Sequence, residues 1–326
     1  MGKIKKERTK EDFEANKIRM FNRKANAKRI GTLKKSKTLD HLIPVEEKME
    51  SLMNKYMKSD GIEFCYDVSA KEIPYFRTLA YTEWAHSLII HPLCNELKVR
   101  QVADAKKGQT ISDDWNGYFQ QKVLNDKSNK YQDRTSSNDY KKKGILIVLP
   151  GSNRIKERTC LNKLNWIKNK YGDAVWFKPH PITTHTLIGE MKDMWGEDAI
   201  LPRNINVYDF LVKADKVFTT YMSETALYAA VLGKKIEPID VYQYVDSGSF
   251  YHYNKFLFDN CVSGESQEHW INSTFSNYRS GIFNPEVDRN WEHKIEQYFK
   301  YIIGERSKYK TWFIDNKEEY RAKQNI

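Results

Sequence analysis

The segment Lys178-Pro179-His180-Pro181 contains the residues of this chain that are best suited to chemistry on a phosphate. A proline on each side restricts the backbone of His180 and stops a helix or a strand ladder from continuing through it. A rigidly held imidazole can donate a hydrogen bond to a phosphate oxygen, and its protonated form can neutralise a leaving group. We expect His180 to be catalytic and Lys178 to supply a fixed cation beside it. The alternative is a surface turn with an exposed histidine.

A second segment, Thr219 to Thr225, is rich in hydroxyl groups and precedes an apolar stretch. Ser223 is a typical N-cap residue, so a helix that begins there would direct its free N–H groups and the positive end of its dipole outward. Hydroxyls and amides suit a diphosphate, and we expect Ser223, Glu224 and Thr225 to bind one. Glu224 would also be favourable beside the helix dipole. The alternative is an ordinary helix start without a ligand.

A third polar segment consists of Gly151, Ser152, Asn153 and Arg154. We expect it to contact a phosphate of a nucleotide or of the acceptor. It matches neither the Walker A pattern nor GxGxxG, so an ATPase or a dinucleotide enzyme is not supported. His86 and His91 have no acidic companions at metal-ligand spacing, and no HExxH is present, so we expect no metal site.

Each of these segments follows an apolar run of the kind that forms a buried strand. The predicted strands are Ile145–Leu149, Ala174–Phe177, Lys216–Thr220 and Lys235–Ile239. The predicted helices are Glu157–Lys170, Thr184–Trp195 and Ser223–Leu232. Strands that alternate with helices are typical of βαβ units and a parallel sheet. Because ligands bind outside the carboxyl ends of such strands, we expect the three polar segments to share one edge.

The first half of the chain offers fewer signals. Residues Ile62–Asp67 are predicted to form a strand, and Tyr75–Ile90 a helix. A carboxylate at the end of a strand or helix can deprotonate a hydroxyl, so Asp67 and Glu83 are the first candidates for a catalytic base. The histidines at 86 and 91 are further candidates. Either carboxylate could instead be structural.

The positive charge of the chain is concentrated at its N-terminus. The net charge is +11, and the first 38 residues contain fourteen Lys and Arg against four Asp and Glu, a net charge of +10. Such a basic arm attracts a polyanion, either nucleic acid or an anionic membrane surface. The alternative is a solvated tail that only aids solubility. The residues expected to contact nucleic acid are Lys5, Lys6, Arg8, Arg19, Arg23, Lys24, Lys28 and Arg29.

Composition excludes several classes of protein. The 326 residues are 40% hydrophobic and 13% aromatic, which is not the composition of a disordered chain. Apolar runs are too short for a transmembrane helix, and the basic N-terminus lacks the apolar region of a secretory signal. The four cysteines, at positions 65, 94, 160 and 261, have neither a disulfide nor a zinc spacing. We therefore expect a cytoplasmic protein.

The order of strand, KPHP, helix, strand, Ser/Thr segment and helix resembles the C-terminal donor-binding domain of GT-B glycosyltransferases. It is most similar to the branch with an HP motif, which includes polysialyltransferases, capsule Kdo-transferases and teichoic-acid glycerophosphotransferases. The resemblance covers Ile145–Asp240. It implies that His180, Ser223 and Thr225 bind the nucleotide phosphate and assist leaving-group departure, without a metal or a cofactor. Many GT-B enzymes carry a ribose-binding Glu where this chain has Tyr228, so the resemblance does not identify the nucleotide.

The resemblance also implies an α/β fold of GT-B type, with two Rossmann-like domains of which the N-terminal one is reduced. On this basis residues 1–40 form the basic arm and residues 41–143 an acceptor-binding domain. That domain would end in the polar linker Leu124–Lys143. Residues 144–284 would bind the nucleotide sugar, and helices within residues 285–326 would brace the first domain.

We therefore expect a metal-independent glycosyltransferase that moves a sugar from a nucleotide-sugar donor to a hydroxyl acceptor. The basic arm favours DNA with hydroxymethylated bases, as in bacteriophage genome modification, because duplex DNA is bound mainly through its phosphates. A base in a duplex would have to be flipped or read in a groove. The first alternative is synthesis of a bacterial surface polysaccharide or lipopolysaccharide, where the arm would contact anionic lipid. The second is a nucleic-acid-binding protein without catalysis. No protein partner is implied.

Overall fold

The computed structural model describes residues 43–56, 63–66, 75–82, 85–91, 113–126, 140, 143–151, 161–181, 183–242, 251–260 and 267–301. Within these ranges the protein is a mixed α/β structure with two four-stranded sheets, one of them entirely parallel. No helix in these ranges is both long enough and apolar enough to cross a membrane.

The bounds of the elements are as follows. The strands are β1 (Glu63–Tyr66), β2 (Tyr75–Thr82), β3 (Ala85–His91), β4 (Ile145–Val148), β5 (Val175–Lys178), β6 (Lys216–Thr219), β7 (Lys235–Pro238) and β8 (Ile282–Phe283). The α-helices are α1 (Ile43–Tyr56), α2 (Trp115–Gln121), α3 (Leu161–Tyr171), α4 (His185–Trp195), α5 (Val207–Lys213), α6 (Thr225–Val231), α7 (Tyr251–Asn260), α8 (Glu268–Ser276) and α9 (291–301).

The parallel sheet has the strand order β5-β4-β6-β7. All four strands were predicted, and each of their boundaries is confirmed to within one residue. In the central pairings, Val148 lies opposite Lys178 and Ile147 lies opposite Phe218. The pairing of β4 with β5 continues past the last assigned residue, because the N–H of Leu149 donates to the carbonyl of Lys178 at 3.0 Å.

Both faces of this sheet are buried, as expected for parallel strands that read as continuous apolar runs. Leu146 and Val148 point to one face and belong to the larger core cluster, together with residues of α5 and α6. Ile145 and Ile147 point to the other face and pack with residues of α3 and α4. The alternation of side chains along β4 thus divides the helices between two layers.

The other sheet has the order β1-β2-β3-β8 and is mixed. Strands β1 and β2 are parallel, whereas β2 with β3 and β3 with β8 are antiparallel. The predicted helix Tyr75–Ile90 is therefore wrong, since this segment forms two paired strands. The physical reason is its content of aromatic and β-branched residues, which favour the extended backbone. The GT-B arrangement of two Rossmann-like domains stays a prediction.

Some of the helices were predicted from the sequence, and others were not. Helix α4 begins as predicted, with the Thr184 hydroxyl accepting the N–H of Leu187 as an N-cap. Helices α1, α2, α5, α7 and α8 were not predicted. Helices were predicted within residues 285–326; residues 285–290 form turns, and the helix α9 begins at residue 291. The polar linker was predicted from Leu124, but a π-helical turn extends α2 through Lys122–Asp126.

A buried polar cluster of Trp115, Asp288 and Lys294 fastens α2 to the C-terminal part of the described chain. The indole Nε1 of Trp115 donates to Asp288 Oδ1 at 3.1 Å, and Lys294 Nζ donates to the same oxygen at 2.6 Å. Lys294 Nζ also donates to the carbonyl of Phe275, and the N–H of Asn284 donates to Asp288 Oδ2. These bonds join α8 and α9 to α2, which is distant from both in sequence.

Candidate active site at the carboxyl edge of the parallel sheet

The carboxyl ends of β4, β5 and β6 lie side by side, with β4 in the middle. Gly151 follows β4, His180 follows β5, and Thr220 follows β6. The chain runs from β4 to a neighbour on one side and later returns to a neighbour on the other side. Strand order therefore reverses at β4, and open α/β sheets bind their ligands outside the carboxyl ends at such a point. The prediction that the three polar segments share one edge is confirmed for their described residues.

The KPHP segment forms a tight turn directly after β5. Pro179 is buried, whereas His180 and Pro181 are half-buried. The carbonyl of His180 accepts the N–H of Thr183 at 2.8 Å, which closes the turn. The imidazole is thus attached to a backbone that is fixed on both sides. Its catalytic role stays a prediction.

Lys178, the last residue of β5, is buried at 3% exposure. Its Nζ donates to the carbonyl of Pro179 at 2.7 Å and to the carbonyl of Arg203 at 2.8 Å. Burial lowers the pKa of this ammonium to about 7, because the charged form loses its hydration. The bonds give Lys178 a role in shaping the KPHP turn, while its expected contact with a donor stays a prediction.

Arg203 is a residue of this edge that the sequence analysis missed. It lies in the loop before α5, and its Nη1 donates to the carbonyl of Thr183 at 2.9 Å. Because its own carbonyl accepts from Lys178, the two loops are tied together by bonds in both directions. Arg203 also brings a permanent positive charge to the KPHP side of the edge. No local sequence pattern marks this residue.

The segment after β6 forms a second turn, which leads into α6. The N–H of Ser223 donates to the carbonyl of Thr220 at 3.0 Å, and the Ser223 hydroxyl accepts the N–H of Thr225 at 3.3 Å. The prediction that α6 begins at Ser223 as its N-cap is wrong, since α6 begins at Thr225 and its N-cap, Glu224, makes no side-chain capping bond. The hydroxyl of Thr219, at the end of β6, donates to the carbonyl of Val148 at 3.3 Å and joins the two strand ends.

Tyr228, at the position where the resembled family has a ribose-binding Glu, is buried in α6. Its ring packs edge-on against Tyr208, with 5.2 Å between the ring centroids. Its hydroxyl donates to Glu224 Oε2, one helical turn earlier, at 3.4 Å. The carboxylate at this position of the edge is therefore that of Glu224. The hydroxyl of Tyr228 donates a hydrogen bond to it.

The structure brings together part of the predicted site. Gly151, Lys178, His180, Ser223, Glu224 and Thr225 lie at the carboxyl edge of the parallel sheet. Outside the described residues lie Asp67, Glu83, Ser152, Asn153, Arg154 and the eight basic residues of the arm.

Two candidates in the first half need correction in their setting. Glu83 was predicted on a helix; the residue lies outside the described ranges, but the segments before and after it in the sequence are the strands β2 and β3. His86 was predicted on the same helix and belongs instead to β3, as does His91, which is opposite Tyr75. In the described part of the chain, no three His, Cys, Asp or Glu residues are grouped so that they could hold a metal ion. The expectation of no metal stays a prediction.

The function of this edge has to be inferred from its residues and geometry. In the described part of the chain, two turns with hydroxyl, imidazole and amide groups lie at the edge where a ligand of an α/β sheet binds. No protein-family model matches this chain, and no curated protein matches it either.

Proposed function

We propose that this chain is a metal-independent glycosyltransferase that moves a sugar from a nucleotide-sugar donor to a hydroxyl acceptor. The observation that carries the proposal is that two polar turns, His180–Thr183 and Thr220–Thr225, follow the strands on either side of β4, at the edge where strand order reverses. Hydroxyls, backbone amides and an imidazole at one edge suit a diphosphate. We further propose that residues 144–284 are the donor-binding domain of a GT-B-like protein.

The proposed reaction exchanges one bond at the anomeric carbon of the sugar. The acceptor oxygen forms a bond to this carbon while the bond from the carbon to the diphosphate oxygen breaks. The acceptor hydroxyl gives its proton to a base, for which Asp67 and Glu83 are the candidates. Negative charge gathers on the departing diphosphate, where His180 donates a hydrogen bond or a proton. The hydroxyl of Ser223 and the amides of its turn bind the remaining phosphate oxygens.

The charges at the KPHP side of the edge agree with an anionic ligand. Arg203 is half-buried and places a guanidinium at this side of the edge. Lys178 has a pKa of about 7, so its positive charge is partly present near neutrality. Two cations held by the backbone near His180 favour a negatively charged leaving group without having to touch it.

For the acceptor we propose hydroxymethylated bases of DNA, in the cytoplasm of the cell. The support is the distribution of charge along the sequence. The first 38 residues carry a net charge of +10, whereas the remaining 288 contain 40 basic and 39 acidic residues. A cationic arm on a neutral body suits a polyanionic acceptor, since each basic side chain that binds a phosphate releases counterions.

The test is a transfer assay with the full-length protein and a panel of nucleotide sugars. Hydroxymethylated DNA and unmodified DNA of the same sequence serve as matched acceptors, and the nucleosides are analysed by mass after digestion. We expect a mass increase of one sugar on the hydroxymethylated nucleoside alone, unchanged by EDTA. Consumption of no nucleotide sugar with any acceptor would refute the transferase. Activity lost with EDTA and restored by manganese would refute the metal-independent mechanism.

The acceptor is tested separately from the transfer chemistry. In the full chain, the eight basic arm residues named above are replaced by Gln, and DNA affinity is measured over a salt series. The salt slope should fall by about 0.9 for each phosphate that the arm no longer neutralises. Hydrolysis of the donor should persist. If the substitutions instead abolish binding to anionic vesicles and DNA affinity is negligible in both proteins, the acceptor is a membrane-linked glycan. Unchanged binding to both would identify the arm as a solubility tail.

A further inference from the structure

The turn after β6 accepts two hydrogen bonds from a buried asparagine of α7. Asn254 is fully buried, and its Nδ2 donates to the carbonyl of Tyr221 at 2.7 Å and to the carbonyl of Ser223 at 2.9 Å. We infer that Asn254 is a positioning residue, which holds this turn in the shape that receives the diphosphate. This inference rests on the proposed function of the turn.

The two hydrogen bonds determine the direction of two amide groups. In a planar trans peptide the N–H points opposite to the C=O. Because the carbonyls of Tyr221 and Ser223 point toward Asn254, the N–H groups of Met222 and Glu224 point to the opposite side of the turn. These two N–H groups are not consecutive, since that of Ser223 lies between them and donates to the carbonyl of Thr220. N–H groups on the same side of a turn can donate to the oxygens of one anion. Asn254 thereby orients the donors that a phosphate oxygen would use.

The rest of the turn is also held by residues distant in sequence. The N–H of Tyr221 donates to Asp240 Oδ1 at 3.0 Å, just beyond the end of β7. Asn254 and Asp240 therefore bind the backbone C=O and N–H of Tyr221, one from α7 and the other from the segment after β7. The backbone of the turn depends on these side chains and not only on its own sequence.

The orientation of the amide follows from its neighbours. Both groups that face Nδ2 are carbonyl oxygens, which only accept, so only the NH₂ side of the carboxamide can face them. The other side, Oδ1, is buried without a hydrogen-bond partner within the described part of the chain. A buried acceptor without a partner lowers stability. An apolar residue would avoid that cost but would leave the two carbonyls of the turn without this donor.

The test compares Asn254→Ala with the matched control Asn272→Ala in the full chain. Asn272 is also a buried asparagine, on the next helix, but its Oδ1 accepts the N–H of Asn116 in α2. The probes are ADP, CDP, GDP and UDP, measured by calorimetry. We expect Asn254→Ala to raise the Kd of the nucleotide that binds by about tenfold, or about 1.4 kcal/mol. Asn272→Ala should lower the melting temperature but leave this Kd unchanged.

Hydrogen-exchange rates of single backbone amides distinguish a local change in this turn from a general loss of stability. The amides of Tyr221 and Ser223 should exchange faster in Asn254→Ala than in Asn272→Ala, without nucleotide present. If Asn254→Ala does not fold, Asn254→Leu keeps about the same side-chain volume but removes the NH₂ donor, and the same two results are expected.

The outcomes separate this inference from the proposed function. If the wild-type protein binds none of the four nucleotides, both are overturned. If the wild type binds one and the Asn254 variants bind it equally well, only the positioning role is overturned. An equal loss of affinity in Asn272→Ala would mean general destabilisation, and it would also overturn the positioning role.

Discussion

Two regions of this protein each contain a buried lysine, and the two lysines are held in opposite ways. Lys294, in the cluster that fastens α2 to the C-terminal part, donates to Asp288 at 2.6 Å and lies 5.0 Å from the ring centroid of Trp115. Lys178, at the carboxyl edge of the parallel sheet, donates only to backbone carbonyls. Within the described residues, no carboxylate bonds to Lys178.

The pKa of each ammonium group is determined by different neighbours. Burial lowers the pKa of Lys294, but the neighbouring Asp288 opposes this effect. For Lys178, burial acts alone and lowers the pKa to about 7. A paired charge serves to join elements, whereas an unpaired one titrates near neutral pH. Groups of the second kind are found more often at functional sites than in purely structural cores.

The largest expected effect comes from breaking the Lys294 pair. Lys294→Met leaves the carboxylate of Asp288 buried without its cation, and breaking such a pair typically costs about 3–5 kcal/mol of stability. The free energy of unfolding is measured with urea. The double variant Lys294→Met/Asp288→Asn removes both charges and should recover part of the loss. A double variant as unstable as the single one would show that the two groups are not coupled.

Removing the Lys178 charge should change the pH dependence of stability. The pKa of Lys178 is about 7 in the folded protein, against 10.5 for an ordinary lysine. Between these values the unfolded chain binds more protons, so this lysine makes stability rise with pH, by at most about 1.4 kcal/mol per pH unit. Below about pH 7 both states are protonated and its burial cost is constant.

The measurement is the difference in unfolding free energy between the wild type and Lys178→Met. This difference should shift in favour of the wild type as the pH rises from about 7 toward 10.5. A difference that stays constant across this range would show that Lys178 is not desolvated as its burial implies.

The smallest of the three expected effects comes from replacing His180. This replacement should lower turnover without lowering stability. We expect His180→Ala to reduce transferase turnover about 10²-fold, or about 2.7 kcal/mol, the scale of a positioned proton donor. The melting temperature should change little, because the imidazole is only half-buried. His185→Ala, at the exposed first residue of α4, is the matched control and should retain turnover. Turnover near that of the wild type in a folded His180→Ala protein would remove the assignment.

The parallel sheet could be predicted from the sequence because its strands are short apolar runs closed by polar residues. Ile145–Val148 is a clear example, since Pro150 and Gly151 end the run. The edge that carries His180 and Ser223 then followed from the general rule for ligand sites in α/β sheets. In the segment Tyr75–Ile90, apolar positions fit a helix about as well as a strand, and the prediction of a helix was wrong.

The remaining parts of the site could not be predicted, because they depend on contacts between distant segments. Lys178 was expected to face a ligand, but its ammonium is bonded to a carbonyl of the loop before α5. Arg203 and Asn254 are single polar residues in unremarkable local sequence. Each acts on a backbone group that only the folded chain brings near, so no spacing in the sequence marks them.

The pairing of β3 with β8 has a consequence for the order in which the chain folds. Ser87 is opposite Ile282, so the partner of β3 leaves the ribosome only after the whole parallel sheet has been synthesised. Contacts between such distant segments form slowly, because a long loop must close first. Until then the hairpin of β2 and β3 has an open edge, the kind of surface that recruits chaperones or other nascent chains. The sheet that begins first in translation is thus completed last.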